Sequence, residues 1–227
     1  MTGQILRWHE VNDAAAMCRE AVERILAAAA EAIADRDSFS IVLSGGETPR
    51  ATYRAMRSVE TDWSLWQVWY GDERCVPPGD RERNSLMARE EWLDHVAIPA
   101  ANIHPMPAEQ GPDEGARLYA EMLRDVGPFD LNLLGLGRNG HTASLMPGDD
   151  WGEGEDAPAT LGVTGSPKPP PERVSLSARR LSDSRHVLFL VDGPAKREAL
   201  ERWRAGERIP AAAVTPAAGV DVIVSRE

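Results

Sequence analysis

The chain has two cysteines in 227 residues, Cys18 and Cys75, and neither belongs to a CxxC or Cys/His array. Neither a disulfide framework nor a structural zinc site therefore organises the fold, and a reducing compartment is expected. Blocks of basic residues are missing too. The 25 Lys and Arg are scattered among 36 Asp and Glu, leaving a formal net charge of −11. A field of that sign repels nucleic acid and anionic membrane, so neither is expected as a partner. It also repels a small anionic substrate, so any phosphate site has to be built locally from backbone amides and a few cations. The longest apolar run near the start, Ile25 to Ala30, spans six residues, too short for a signal h-region or a membrane span. The expectation is a mature cytoplasmic protein. No internal repeat, HExxH or EF-hand pattern occurs, and Ser44 and Ser144 lack the G-x-S-x-G context of a serine nucleophile. No metal and no cofactor is expected.

What is present is a globular composition, 42% hydrophobic and 27% charged, in a chain long enough to bury roughly 70% of its unfolded surface. Asn12 or Asp13 caps a helix running to about Arg36, with Met17, Ala21, Val22, Ile25, Ala29 and Ile33 on one face. Strands are read at 39–43, 66–70, 129–136, 186–191 and 219–224, and helices from about 48, over 84–95, 112–126 and 194–205. The continuous apolar run at 129–136 calls for burial on both faces. Strands alternating with helices give an α/β fold with a doubly wound, mainly parallel sheet and helices on both faces, in one domain over 1–227. Residues 147–172, with six Pro, five Gly and the acids Asp149, Asp150, Glu153, Glu155 and Asp156, read as a long solvated loop and a candidate lid.

Ligands of open α/β sheets bind beyond the carboxyl ends of strands, so the loops there carry the chemistry. Ser44-Gly45-Gly46-Glu47-Thr48-Pro49 reads either as an ordinary strand-to-helix turn or as a phosphate cradle on a helix N-terminus. Gly71-Asp72-Glu73-Arg74 is either a solvated charge cluster or an arginine for an anion beside an acid that orients a substrate. Gly135-Leu136-Gly137-Arg138-Asn139-Gly140 spells a dinucleotide fingerprint, but Pro147 and Gly148 stop any helix at once and no acid-tipped second strand follows, so that reading fails. The loop then offers His141, whose imidazole titrates near neutrality and suits a general base. Arg185 and Lys196 flank the strand at 186–191, either as surface charges or facing the Ser44 loop.

Taken in order, LSGGETP, WQVWYGDERCVP, Asn84-Ser85, FDLNLLGLGRNGHTASLMPG, PKPPPERVSLS and SRHVLFLVDGPAKREAL resemble the 6-phosphogluconolactonases over nearly the whole chain. The resemblance implies a Rossmann-like three-layer fold similar to glucosamine-6-phosphate deaminases. It also implies a cytosolic, metal-free hydrolase of 6-phospho-D-glucono-1,5-lactone in the oxidative pentose phosphate pathway. Carried over by motif, His141 activates water, with Asp72, Arg74 and Asn139 in the catalytic centre. Ser44, Gly45, Gly46 and Thr48 hold phosphate, Arg185 and Lys196 complete that grip, and Lys168 and Arg173 border the pocket. Two positions depart from the family: Asn139 stands where it usually has Asp, and Met146 where it commonly has Phe. Two other readings compete. A sugar-phosphate isomerase or deaminase of the related fold has Asp-Glu-Tyr in place of Asp72-Glu73-Arg74. A sugar-phosphate sensor domain needs a helix-turn-helix, for which this sequence gives no sign. Oligomeric state is left open.

Overall fold

A computed structural model describes residues 4–226. In chain order the elements are β1 (Leu6–Val11), α1 (Ala14–Arg36), β2 (Phe39–Leu43), α2 (Glu47–Met56), β3 (Trp66–Tyr70), β4 (Asp72–Arg74), α3 (Asn84–Glu91), α4 (Pro112–Met122), β5 (Phe129–Gly135), β6 (Thr160–Val163), β7 (Arg173–Leu176), α5 (Ala178–Ser182), β8 (Ser184–Val191), α6 (Arg197–Arg204) and β9 (Val220–Ser225). Six strands form a fully parallel sheet in the order β1-β9-β8-β5-β2-β3. The doubly wound α/β architecture expected from the sequence is present. β5 lies at its centre, and its residues from Phe129 to Leu134 are all buried, as its unbroken apolar run demands. Asp13 caps α1 by accepting from the Ala16 amide at 2.6 Å, and Asp37 ends it in a left-handed conformation. α1 packs across β1, β2, β5, β8 and β9 and lies beside α2.

The order of strands decides where a ligand goes. The chain leaves β2 for β3 on one side and later returns to β5 on the other, so the β2 and β5 loops diverge at their carboxyl ends and open a crevice between them. Three differences from the sequence reading matter. β1 goes unread there because LRWHEV mixes charges into a strand that takes shape only by pairing with β9. A second, antiparallel sheet of β4-β7-β6 stands over the crevice. Its strands of three or four residues are too short for a periodicity to show.

That sheet also corrects the reading of 147–172 as a solvated loop. β6 lies inside the segment, and Trp151 is only 4% exposed, its indole N–H donating to the Met146 carbonyl at 2.6 Å while the Arg208 guanidinium covers its ring. One indole and one short strand are enough to pack a stretch whose composition is otherwise that of a loop. The predicted helices at 84–95 and 194–205 each divide into an α-helix and a single 3-10 turn, Leu93–His95 after α3 and Pro194–Lys196 before α6. The helix from Pro112 stops at Met122.

Candidate active site

The β2 and β5 loops face each other across a cleft of about 710 Å³. On the β2 side, Tyr53 of α2 fixes the backbone of Ser44 from both directions: its hydroxyl accepts from the Ser44 amide at 3.0 Å and donates to the Ser44 carbonyl at 2.7 Å. The Ser44 Oγ is buried and has no hydrogen-bond partner among the described residues. Gly46 sits at φ +107°, which a side chain would strain, and it leaves the first turn of α2 without a side-chain cap. Uncapped amides and a free hydroxyl at a helix N-terminus form a receptor for an anion. Gly45 has a separate reason to be glycine. A Cβ there would lie 1.9 Å from Oδ1 of Asn84.

On the β5 side, the turn from Gly137 to His141 closes on itself. The Gly137 amide donates to the His141 carbonyl at 2.7 Å, and the Gly140 amide to the Gly137 carbonyl at 3.0 Å. The imidazole lies over Gly137, where a Cβ would come within 2.0 Å of the ring. Asn139 holds the ring at Nδ1, its Oδ1 2.5 Å away. An amide oxygen only accepts, so Nδ1 carries the proton and Nε2 keeps a free lone pair. Burial pushes the His141 pKa down to about 4, and repulsion from Lys168, Lys196 and Arg173 adds to it. The imidazole is therefore neutral at physiological pH and able to take a proton.

Asp72, from β4, is 5% exposed, and its carboxylate accepts from the Ser144 hydroxyl at 2.6 Å and the Asn84 amide at 3.1 Å. Its neighbour Glu73 is fully buried and caps α3, a role with no local signature, by accepting from the amides of Asn84 at 2.7 Å and Ser85 at 2.8 Å. Arg83 lies 3.4 Å from the same carboxylate. This buried scaffold sets Asn84 against Asp72 and Gly45. Arg74 reaches toward Glu82, its guanidinium 2.5 Å from the backbone carbonyl. The positioning roles of Asn84, Ser144, Tyr53 and Glu73 are hidden from a reading based on loops at strand ends, because each depends on a partner distant in sequence.

Lys168 and Arg173, at the entry to β7, and Lys196, beyond β8, line the same cleft as His141. Among the described residues none of them, nor Arg138, has a carboxylate within ion-pair distance. Burial lowers the pKa of Lys168, Lys196 and Arg173, and their mutual repulsion pushes both lysines lower still. A chain of net charge −11 has thus gathered unpaired cations at one point, an arrangement that an anionic ligand neutralises. Among the described residues no three His, Cys, Asp or Glu side chains gather as a metal site. A sequence signal for this cluster existed and went unread: the chain has only two lysines, Lys168 and Lys196, and the fold delivers both to the cleft.

Arg185 does not join them. It lies at the amino end of β8, 45% exposed, with its guanidinium 3.4 Å from Asp130. Lys196 follows the carboxyl end of that strand, and the six-residue rise from Arg185 to Val191 separates the two by roughly 20 Å. The parallel sheet puts the two cations on opposite edges, and Arg185 is excluded from the phosphate grip. Ser44, Gly45, Gly46, Thr48, Asp72, Arg74, His141, Lys168, Arg173 and Lys196 all line the cleft, with Asn139 directly behind the imidazole.

The chain is similar to known proteins in sequence and in fold. A 6-phosphogluconolactonase from Mycobacterium leprae is 36% identical over 222 residues, covering 92% of this chain and 88% of its own. One from Synechocystis is 40% identical over 193 residues, covering 79% and 77%. The crystal structure of the Thermotoga maritima 6-phosphogluconolactonase superposes with a TM-score of 0.89 at 26% identity, over 97% of this chain and all of that one. A monomeric glucosamine-6-phosphate deaminase shares the fold at 20% identity, with a TM-score of 0.83 over 97% and 98% of the two chains. The family model for glucosamine-6-phosphate isomerases and 6-phosphogluconolactonases matches residues 12–223, and the chain belongs to that family.

Proposed function

We propose that the chain is a lactone hydrolase that converts 6-phospho-D-glucono-1,5-lactone to 6-phospho-D-gluconate, with His141 as general base. The observation that carries this reading is the neutral imidazole, its Nε2 free, in a cleft where, among the described residues, Lys168, Arg173 and Lys196 have no carboxylate within ion-pair distance. The Ser44 hydroxyl, the amides of Gly45 and Gly46, Thr48 and Lys196 receive the phosphate, and the sugar ring extends from there toward His141. Asp72, held rigid by Ser144 and Asn84, accepts from a sugar hydroxyl with its remaining lone pairs.

Nε2 takes a proton from a water as that water attacks the lactone carbonyl. Negative charge then grows on the carbonyl oxygen, where Arg74, Lys168 and Arg173 oppose it without having to reorganise. An imidazolium flanked by these cations is a strong acid, so it returns the proton readily to the departing ring oxygen. The bound phosphate assists the first step. Its negative charge offsets the repulsion from Lys196 and Lys168 and so raises the basicity of His141 in the complex above that of the free protein.

Asn139 performs the orienting half of a histidine–carboxylate pair, fixing the tautomer and the ring, without supplying the charge. Among the described residues no helix is long and apolar enough to cross a membrane, and we place the reaction in the cytoplasm. The test generates the lactone in situ and follows its opening with and without protein, alongside unphosphorylated glucono-1,5-lactone. Acceleration that is much stronger for the phosphorylated lactone supports the reading. Opening no faster than the spontaneous reaction overturns it.

A further inference from the structure

A protein with 25 basic residues and only two lysines exposes few amines to chemistry, and both side chains face the cleft in which the proposed substrate opens. That substrate is an activated ester, and an ester that yields to water yields also to an unprotonated amine. Building on the lactone-hydrolase reading, we propose that Lys168 is a site of covalent modification by the enzyme's own lactone.

Two observations favour Lys168 over Lys196, and two more show that it is suited to attack. Lys196 ends the turn Pro194–Lys196 beyond β8 and is assigned to the phosphate, which keeps its amine protonated while substrate is bound. Lys168 is held on the other wall, where Arg173 donates to its carbonyl at 3.0 Å and fixes the base of its side chain. Its side chain lines the same cleft as the imidazole and repels it. Burial and the guanidinium groups of Arg173, Arg138 and Arg74 lower its pKa, raising the share of free amine.

The step balances without a co-reactant. The amine nitrogen attacks the lactone carbonyl carbon and forms the C–N bond, the bond from that carbon to the ring oxygen breaks, and the ring oxygen takes the proton released by nitrogen. The product is a 6-phosphogluconoyl amide on Lys168. The cleft loses one positive charge and gains a phosphate, so the modified enzyme is inactive. Water competes for every bound lactone, and modification accumulates only as a slow loss of activity during turnover.

The intact protein is incubated with lactone generated in situ, hydrolysis is recorded in the same vessel, and the adduct is located by intact-mass and peptide mass spectrometry. With two lysines and one terminal amine to distinguish, the assignment is direct. The expected result is one adduct per chain on Lys168, formed at least about tenfold faster than with an equal concentration of unphosphorylated glucono-1,5-lactone, because the anion cradle holds only the phosphorylated form beside the amine. In His141→Ala the yield of adduct per lactone hydrolysed rises, since water loses its base and the amine does not. Hydrolysis without an adduct overturns the proposal and leaves the hydrolase reading standing. So does an adduct confined to Lys196 or the terminal amine, or one formed equally by the two lactones. Absence of hydrolysis removes the hydrolase reading itself.

Discussion

Asn139→Asp replaces a neutral acceptor by a charged one at the 2.5 Å contact with Nδ1 of His141, and its effect follows from numbers already in the structure. The imidazole starts at a pKa of about 4. An ionised carboxylate at this range raises an imidazole pKa by roughly 1 to 3 units. Lys168, Lys196 and Arg173 around the ring keep the new carboxylate ionised, so the variant imidazole is expected at about 5 to 7. With the midpoint of that range, at pH 5 about nine-tenths of wild-type His141 is neutral against about one-eleventh in the variant, about a tenfold loss of kcat/KM. The sign follows from the role: a base is lost as it becomes protonated, so a raised pKa moves the acidic limb to higher pH. At pH 8 both proteins keep an oriented, neutral ring and similar activity. The assay uses unphosphorylated glucono-1,5-lactone, because a phosphate ester titrates near pH 6 and adds its own limb. It is paired with an NMR titration of the His141 ring in the free protein. A limb that stays in place while the ring pKa moves removes His141 as the base. A ring pKa that does not rise shows that residue 139 does not carry the electrostatic influence described here.

Lys196→Ala removes a charged contact to phosphate and is expected to raise KM for the phosphorylated lactone by roughly 10- to 100-fold, with little change for the unphosphorylated one. Equal effects on both substrates refute the assignment. Arg185→Ala leaves both KM values unchanged and alters stability by about 0 to 1 kcal/mol, because the arginine is half exposed and Asp130 keeps Arg36 as its closer partner. Trp151→Ala is expected to lose about 3 to 5 kcal/mol, read as a Tm lower by roughly 6 to 20 °C. A Tm near wild type would restore the reading of 147–172 as a solvated loop. Glu73→Ala strips the cap from α3, leaves the buried amides of Asn84 and Ser85 unpaired and leaves Glu109 as the remaining carboxylate partner of Arg83, a loss of about 2 to 4 kcal/mol by denaturant unfolding.

Much of this architecture is legible in the sequence because the parallel sheet announces itself. β5 is an unbroken apolar run, α1 carries a cap and a stripe, and each glycine turn follows a strand. His141 stood out by position, just beyond the central strand. What stays hidden depends on tertiary pairing. β1 becomes a strand only through β9, and the three strands of the small sheet are individually too short to leave a pattern. Trp151 shows the limit of composition, since a segment rich in Pro, Gly and acid is packed down by one buried indole. Arg185 shows the limit of proximity along the chain. It stands eleven residues before Lys196, yet a strand of eight residues carries the chain from one edge of the sheet to the other. The lysine count is the reverse case, a signal in plain view that acquires meaning only when the fold brings both residues to one cleft.

The most direct test of the account compares wild type and His141→Ala in the hydrolysis of 6-phospho-D-glucono-1,5-lactone generated in situ, with the spontaneous rate subtracted. The prediction is a kcat lower by about 10² to 10⁴ with KM and Tm close to wild type, since the imidazole supplies the base and Lys196 with the β2 loop supplies the affinity. Turnover by His141→Ala at the wild-type rate would contradict the account at its centre.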